Sequence, residues 1–275
     1  MSVLPRPVAC TDALVLRSWP CGETSAIASY LTRDHGYVKV IAKAARRPRS
    51  QLRPLVEPGR LIGVEFGLDP GRQLQYLRAG SVHLDPLGTG ASLERSAFLL
   101  GALELVDRCR PRDPEGASSA NDGDTDSLFA VCEEFVRMLS SPTCTAPGLA
   151  FFGLEWNLLR LHGLAPELTA CAGCGTELDP QVSGGLWFSL AEGGGMCPGC
   201  GGEREPPGGA RRRLSAGAWT ALLTIAGGGA LAPAEVPWSR ALRREIGALL
   251  HGFLGYHLPG YRLPAALDLL RPRKD

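Results

Sequence analysis

Four cysteines in two closely spaced pairs are the residues of this chain best suited to chemistry. The pairs Cys171-Ala-Gly-Cys174 and Cys197-Pro-Gly-Cys200 are separated by 22 residues. Each pair can form a tight turn that points two thiolates at one centre, and two such turns supply the tetrahedral set of sulfurs that a zinc ion takes. Because four protein ligands leave no position for water, the pattern predicts a structural Zn2+ and not a catalytic one. The alternatives are two disulfides or a redox pair. A redox Cys-x-x-Cys would follow a strand and precede a long helix, and neither pair has that context.

The residues around these pairs indicate how the sulfurs are positioned. Gly175 and Gly201 each follow a pair, and we expect both to adopt positive φ so that backbone N–H groups turn toward the sulfurs. The segment between the pairs contains the strand-like run 185–190. It predicts a small hairpin attached to the metal.

Charge is distributed unevenly along the 275 residues, a length that suits two or three domains. The formal net charge of +1 predicts no partner. Residues 1–60, however, carry ten Lys and Arg against four Asp and Glu, whereas residues 61–135 carry six against thirteen. A basic first module followed by an acidic segment favours contact between the first module and a polyanion.

The remaining cysteines and the N-terminal residues bear on the compartment. Five cysteines outside the two pairs are scattered and odd in number, which argues for a reducing environment. Residues 1–10 contain no apolar region that would indicate a signal peptide, and no run approaches 18 apolar residues. We therefore expect no membrane association and a cytoplasmic protein.

The first third of the chain predicts a β-barrel. Apolar stretches, with alternation of apolar and polar residues in the second and third, predict five strands, at 13–17, 25–32, 37–44, 61–68 and 73–84. The alternation is clearest in the third, where Val38, Val40 and Ala42 share one face. Five antiparallel strands in so short a span suit the OB-fold, a small barrel that commonly binds single strands of nucleic acid.

Basic residues of this barrel predict a nucleic-acid interface. A groove of positive charge can follow a phosphate backbone, with an affinity that falls steeply as salt rises. The candidate DNA-binding residues are Arg17, Arg33, Lys39, Lys43, Arg46, Arg47, Arg49 and Arg53. Trp19, Tyr30 and Tyr37 are candidate stacking platforms, although Tyr30 suits the barrel core better. The alternative for the arginine run is a solvated loop.

Helical patterns fill most of the rest. Ser92 is expected to cap a helix, and further helices are expected at 128–139, 149–161, 215–226 and 240–256, the last capped by Ser239. A polar, acidic loop is expected at 113–126, and Arg211, Arg212 and Arg213 are expected to open the helix that follows them. The predicted fold class is α+β multidomain, with an N-terminal five-stranded OB-fold barrel and an α-helical domain that carries an inserted four-cysteine zinc module. The predicted domains are 1–85, 86–168, 169–203 and 204–275.

Motifs that would indicate an enzyme are missing from the sequence. There is no P-loop signature, and no Gly-x-Gly-x-x-Gly lies between a predicted strand and a predicted helix. The five histidines are scattered and form no metal-binding or triad pattern. We therefore expect a protein without catalytic residues.

Several motifs, in this order along the chain, resemble the RecO family of bacterial recombination mediators. The similar N-terminal elements are Gly22-Glu23-Thr24-Ser25, Thr32-Arg33-Asp34-His35-Gly36 and Lys43-Ala44-Ala45-Arg46-Arg47-Pro48-Arg49-Ser50. The similarity continues through the helical region, the four cysteines and the Phe253-x-x-Tyr256-His257-Leu258 segment. It therefore covers nearly the whole chain, although some members of the family lack the cysteines.

The resemblance implies an OB-fold domain, a helical domain and binding of single- and double-stranded DNA. It also implies strand annealing, partnership with RecR, and loading of RecA onto gaps coated by single-stranded-DNA-binding protein, without catalytic residues. The family's basic barrel face corresponds to Lys39, Lys43, Arg46, Arg47 and Arg49 of this chain. Two other functions stay open from the residues alone: a zinc-stabilised protein–protein adaptor whose barrel does not bind nucleic acid, and an RNA-binding OB protein.

Overall fold

The computed structural model describes residues 7–88, 90–109, 122–179, 185–202, 210–227, 238–258 and 260–271. They group into two compact units, Met1–Cys144 with Pro264–Asp275, and Thr145–Leu263. The four-part domain division expected from the sequence stays a prediction.

A closed five-stranded barrel forms the first part of the first unit. Its strands are β1 (Val8–Cys21), β2 (Ser25–Thr32), β3 (Gly36–Ala42), β4 (Leu61–Gly67) and β5 (Gln75–Leu84). They follow the order β1-β2-β3-β5-β4 and close by antiparallel pairing of β4 with β1. All neighbours are antiparallel except β3 and β5, which run parallel. This confirms the predicted five-stranded OB-fold barrel.

The barrel core follows the alternation of the sequence. Val38, Val40 and Ala42 point inward and are buried, whereas Lys39 between them is exposed. Tyr30 is fully buried, and its hydroxyl donates a hydrogen bond to the backbone oxygen of Leu55 at 2.8 Å. Leu55 belongs to a 3₁₀ turn, Pro54–Val56, whose buried side chains join the same core. Burial raises the pKa of the Tyr30 phenol, so Tyr30 is a core residue, as the sequence favoured.

Two helices pack on part of the outer surface of the barrel. The helix α1 (Leu93–Arg108) begins as expected, because the Ser92 hydroxyl accepts a hydrogen bond from the Arg95 N–H at 3.1 Å. The helix α2 (Asp122–Ser140) contacts β1, β2 and β3. Outward-facing residues of this part of the barrel are therefore buried, among them Leu14 and Leu31. A 3₁₀ helix at Ala265–Leu270 returns to α1.

The start of α2 corrects one prediction. The sequence predicted a polar loop over 113–126 and a helix only from residue 128, but the helix already begins at Asp122. The prediction failed because this stretch has few apolar residues, so it shows no helical period. The rest of the predicted loop lies outside the described residues.

Three helices form the apolar centre of the second unit. They are α3 (Pro147–Leu161), α5 (Ala216–Ala226) and α6 (Arg240–His257), and α3 contacts both of the others. The cap predicted at Ser239 is present, since its hydroxyl accepts the N–H of Leu242. Ser215, which was expected to lie inside the helix, caps α5 in the same way by accepting the N–H of Ala218. α3 is buried nearly all round, and even Glu155 is enclosed, with its Oε1 3.1 Å from Nε2 of His251 on α6.

A small sheet beside these helices carries the cysteines. The predicted hairpin is present as β6 (Leu186–Ser189) and β7 (Gly194–Met196), and a short helix α4 (Pro198–Gly202) follows. A third strand, β8 (Arg211–Leu214), pairs with β6 on its other side. The expectation that Arg211, Arg212 and Arg213 open a helix was therefore wrong. They form an edge strand because β6 offers free backbone groups, and α5 begins only after Ser215.

Within the described ranges, no helix is long and apolar enough to cross a membrane.

Candidate nucleic-acid interface and cysteine cluster

The four predicted cysteine ligands converge on one point. The sulfurs of Cys171, Cys174, Cys197 and Cys200 all lie within 4.8 Å of one another. The Sγ atoms of Cys174 and Cys197 are 3.7 Å apart, which is too far for a disulfide. A tetrahedron with metal–sulfur bonds of about 2.3 Å has sulfur–sulfur edges of about 3.8 Å, so this spacing fits a four-sulfur metal site.

Backbone donors prepare the buried cysteine for metal binding. The N–H of Cys197 donates to Cys171 Sγ at 3.3 Å. Burial alone would raise the pKa of Cys171, but the N–H groups of Cys197, Cys174 and Gly173 outweigh it and lower the pKa to about 6. The thiolate is the form that binds a metal, so this environment favours the ligand state.

The two glycines after the pairs serve different purposes. Gly175 has φ +75°, as predicted, and its N–H donates to the backbone oxygen of Cys171 at 2.8 Å. Gly201 is not in the positive-φ region, which corrects the prediction. It is needed for space, since a Cβ there would lie 2.7 Å from the Trp187 ring. The sequence pattern could not distinguish these two roles of glycine.

The predicted DNA-binding residues divide by the partners of their side chains. Lys39, Arg47 and Arg49 are exposed, and the described part of the chain gives none of them an ion pair or side-chain hydrogen bond. Lys43 is also exposed, and its Nζ lies 5.0 Å from the centroid of the Tyr76 ring. These four residues are the basic group, and all belong to β3 or the loop after it.

Two of the predicted residues are engaged with the helices. Arg17 contacts Asp107 of α1 at 3.3 Å. Arg33 contacts Glu133 of α2 at 2.8 Å, and its guanidinium lies 4.6 Å from the Phe129 ring centroid. Both side chains therefore help to hold the helices on the barrel. The sequence offered no sign of these acidic partners, which lie 90 or more residues further along the chain.

Arg46 and Arg53 line a cleft at one end of the barrel. Nη1 of Arg46 donates to the backbone oxygens of Gly22 and Glu23 at 3.2 and 3.3 Å, so it supports the β1–β2 turn. Arg53 lies 4.0 Å from Glu57. The cleft encloses about 480 Å³, and Trp19 forms part of its wall.

The three candidate stacking residues differ in accessibility. Tyr30 lies in the core. Tyr37 is half-buried, and its hydroxyl donates to the backbone oxygen of Val106 in α1 at 2.7 Å. Trp19 is 37% exposed on the outer surface of β1. Of the three, Trp19 presents its ring to solvent.

A second exposed aromatic residue was not predicted from the sequence. Tyr76 of β5 is 40% exposed and lies beside Ile41 of β3. Ile41 in turn pairs with Ile27 of β2, and Ile27 with Trp19 of β1. Trp19, Ile27, Ile41 and Tyr76 thus form one line across four strands, which we call the aromatic row. The alternation within β5 placed Tyr76 on the outer face, but the pairing of β5 with β3 could not be read from sequence.

The basic residues lie directly beside the aromatic row. Arg17 of β1 and Lys39 of β3 both pair with Ser29 of β2, one on each side of it. Each lies two residues along its own strand from the aromatic row. Arg78 follows Tyr76 by two residues on the same exposed face of β5. This part of the barrel surface therefore combines flat rings with positive charge.

Comparison with known proteins covers both units of the chain. The family model for Recombination protein O N terminal matches residues 8–84, and that for Recombination protein O C terminal matches residues 91–265. A DNA repair protein RecO from Anaeromyxobacter sp. (strain K) is 32% identical over 264 residues, covering 94% of this chain and 95% of that protein. The protein of the same name from Cutibacterium acnes is 29% identical over 263 residues, covering 90% and 93%.

The first match spans all five strands of the barrel, and the second spans α1 to α6 with the four cysteines. They agree with the resemblance found in the N-terminal motifs. This chain therefore belongs to the RecO family of DNA repair proteins.

Proposed function

We propose that this chain is a recombination mediator that binds single- and double-stranded DNA on its barrel and anneals complementary strands. In this role it works with RecR and helps to load RecA onto gaps coated by single-stranded-DNA-binding protein. It acts by holding DNA and not by catalysis, in the cytoplasm and in association with the nucleoid. The family membership supports this proposal for the chain as a whole.

The observation that carries the DNA-binding proposal is the basic group. Lys39, Lys43, Arg47 and Arg49 project from one strand and the loop after it, and no described acidic side chain neutralises them. Cations without protein partners can neutralise phosphates and release condensed counterions. With four such contacts to a single strand, the logarithm of the association constant should fall with the logarithm of salt with a slope of about −3.

The first test is a fluorescence anisotropy titration of a labelled single strand at several salt concentrations. We expect Arg47→Glu with Arg49→Glu to weaken binding at low salt and to make the salt slope shallower by about 1 to 2. Arg46 is unsuitable for this test because its guanidinium supports the β1–β2 turn.

Arg271→Glu is the matched control, since it reverses an exposed arginine paired with Asp268 outside the barrel. It should leave the salt slope unchanged. Equal weakening by the control would mean that net charge, and not the barrel face, governs binding. Absence of binding at low salt would overturn the proposal and favour a protein–protein adaptor.

Annealing is tested separately with complementary strands coated by single-stranded-DNA-binding protein. The wild-type chain should accelerate duplex formation, and the Arg47/Arg49 variant should do so less at equal concentration. RecA loading is measured on the same coated strands with and without RecR. Acceleration that does not depend on the basic group would contradict the proposed surface.

We also propose that the four cysteines hold a structural Zn2+. Their 3.7 Å sulfur spacing and the N–H donors to Cys171 support this. With four sulfur ligands, the ion would hold the two Cys-x-x-Cys turns together and leave no position for a reacting molecule.

A further inference from the structure

The outer face of β1, β2 and β3 is covered over one part and open over another. Where α1 and α2 pack, outward residues such as Leu14 and Leu31 are almost fully buried. Two outward-facing pairs further along β1 and β2, Trp19 is 37% exposed, and Tyr76 at the other end of the aromatic row, on β5, is 40% exposed. Two large rings are thus left at the surface, one at each end of the aromatic row, outside the part of the barrel that α1 and α2 cover.

We infer that the aromatic row is a stacking platform for unpaired bases, and that it gives the barrel face its preference for single-stranded over duplex DNA. This inference rests on the proposed function and specifies which form of DNA the site selects. The bases lie over Trp19 and Tyr76 at the two ends of the row, and the phosphates lie along the neighbouring cations.

The dimensions of the barrel agree with this arrangement. The path from Trp19 to Tyr76 crosses three strand spacings, which is about 14 Å along the curved backbone surface of the barrel for strands about 4.8 Å apart. That span corresponds to on the order of four nucleotides at the rise of about 3.4 Å of a stacked strand. Ile27 and Ile41 between the rings supply an apolar floor for the bases in between.

The charges beside the row favour a nucleic acid over a protein partner. On one side of the row Lys39 lies two residues from Ile41 along β3, and on the other side Arg78 lies two residues from Tyr76 along β5. Each is about 7 Å from the row, which long basic side chains can span. Nζ of Lys43 also lies 5.0 Å from the centroid of the Tyr76 ring, so a cation lies close to one of the two rings. Flat rings with cations on both flanks match bases joined by phosphates.

Duplex DNA cannot use the row in this way. Its base faces are stacked on one another, so a duplex presents phosphates to the barrel and no free ring. The basic group should therefore contribute to both forms of DNA, whereas the aromatic row should contribute to the single strand.

The experiment compares Trp19→Ala, Tyr76→Ala and the double variant on a labelled single strand and on its matched duplex. We expect each single change to weaken single-strand binding by roughly 5- to 150-fold, the range of one base–aromatic stack. Duplex binding should change less than about twofold, and the salt slope for both should stay that of the wild type, since no phosphate contact is removed. Trp19→Phe and Tyr76→Phe should retain most of the affinity.

Two controls separate stacking from structure. Val82→Ala removes apolar surface from an equally exposed residue of β5 and should affect neither form of DNA. A single strand with abasic positions removes the bases instead of the rings. The wild-type chain should bind that strand as weakly as the double alanine variant binds the intact one, and the double variant should no longer distinguish the two strands.

The possible outcomes are distinct. Equal loss on single strand and duplex would overturn the inference, because the rings would then support the fold or the charges. No loss on either would also overturn it and would assign the row to a protein partner. If the wild-type chain binds neither form at low salt, the proposed function itself fails. Equal loss on both forms, or no loss on either, would overturn only the stacking inference and leave DNA binding by the basic group unaffected.

Discussion

The barrel and the cysteine module are two small structures held together by different means. The barrel closes its sheet around sixteen buried, mostly apolar residues and leaves no free edge. The module has strands of only three and four residues, and its edge strand β8 consists mainly of arginines. Segments this short cannot bury enough apolar surface to order themselves. The difference indicates that the barrel depends on packing, whereas the module depends on its four sulfurs and on the helices beneath it.

The module is attached to its unit by a few specific contacts. The Phe188 ring meets Phe253 of α6 edge-on, with centroids 5.9 Å apart. A Cβ at Gly195 would lie 2.4 Å from the Trp219 ring of α5, so β7 lies directly on that ring. These contacts anchor one side of the sheet, and the cysteines must order the other side.

Loss of the proposed Zn2+ should produce the largest difference between the two regions. Cys171→Ser removes the most buried ligand, and metal binding contributes on the order of 10 kcal/mol to the folding of small zinc modules. We expect metal content to fall and amide exchange to become fast over residues 167–179 and 185–202, with the barrel amides unchanged. Hydrogen-exchange mass spectrometry with metal analysis measures both.

Cys10→Ser is the control for this change, because Cys10 is exposed on β1 and lies outside the cluster. It should alter neither metal content nor exchange. Protection of the module that survives complete removal of the metal would show that the helices alone order it.

Truncation of a core ring should damage the barrel and spare the module. Phe66 is fully buried in the barrel core, and Phe66→Ala should lower the free energy of unfolding of the barrel by about 3 to 5 kcal/mol. Urea titrations followed by barrel amide exchange measure the loss. Val82→Ala, at an exposed position of β5, should cost less than about 0.5 kcal/mol. A matching loss of bound metal in Phe66→Ala would contradict the separate stabilisation of the two regions.

The close packing of Gly201 on the Trp187 ring also contributes to the module, and substitutions at the adjacent residues Gly201 and Gly202 can test it. Gly201→Ala would place a Cβ 2.7 Å from the Trp187 ring, whereas Gly202→Ala meets nothing within 4 Å. The first change should cost about 1 to 3 kcal/mol, and the second should be nearly neutral. Competition with a chromophoric chelator would show weaker metal binding for Gly201→Ala alone. Equal affinities would mean that β6 shifts freely and that packing on Trp187 contributes little.

The smallest expected effect is electrostatic and belongs to the barrel unit. Burial raises the pKa of Glu133, but hydrogen bonds from Arg137 and Arg33 outweigh it, and the net pKa is lowered. Stability from this carboxylate is therefore present above its unfolded pKa near 4.5 and is lost as pH falls through the lowered folded pKa. Glu133→Gln should cost about 0.5 to 1 kcal/mol at pH 7, and this difference should vanish in acid.

Thermal unfolding of Glu133→Gln and the wild type between pH 7 and pH 3 measures the effect. Glu134→Gln changes the next residue of α2, which is exposed, and should be neutral throughout. A cost that does not depend on pH would show that packing around Phe129, and not charge, joins Arg33 to α2.

Local rules predicted much of this fold. Apolar stretches located all five barrel strands, and alternation was clear in β3, where one face is buried and the other is not. Serine hydroxyls located the starts of α1 and α6. The cysteine cluster followed from spacing alone. Local rules could not predict which distant segments pair with each other. Arg211–Leu214, for example, forms a strand only because it pairs with β6.

The same limit applies to the candidate interface. A count of basic residues in the first 60 positions identified the region, but it could not show that Arg17 and Arg33 face acidic residues of α1 and α2. Nor could it join Trp19 to Tyr76, since their alignment depends on the order of four strands. The chemistry of the residues was readable from sequence, whereas their neighbours required the fold.

The junction between β3 and β5 has a consequence for how the barrel forms. It consists of only two residue pairs, Val40 with Gln75 and Ile41 with Tyr76, about 35 residues apart in the chain. A junction with few contacts between distant residues forms late in folding. Closing the long loop between those residues costs entropy, and few contacts form in return. We therefore expect this junction to form last and to open first. A single strand lying across Ile41 and Tyr76 would bridge it, so the ligand would slow barrel opening as well as occupy its surface.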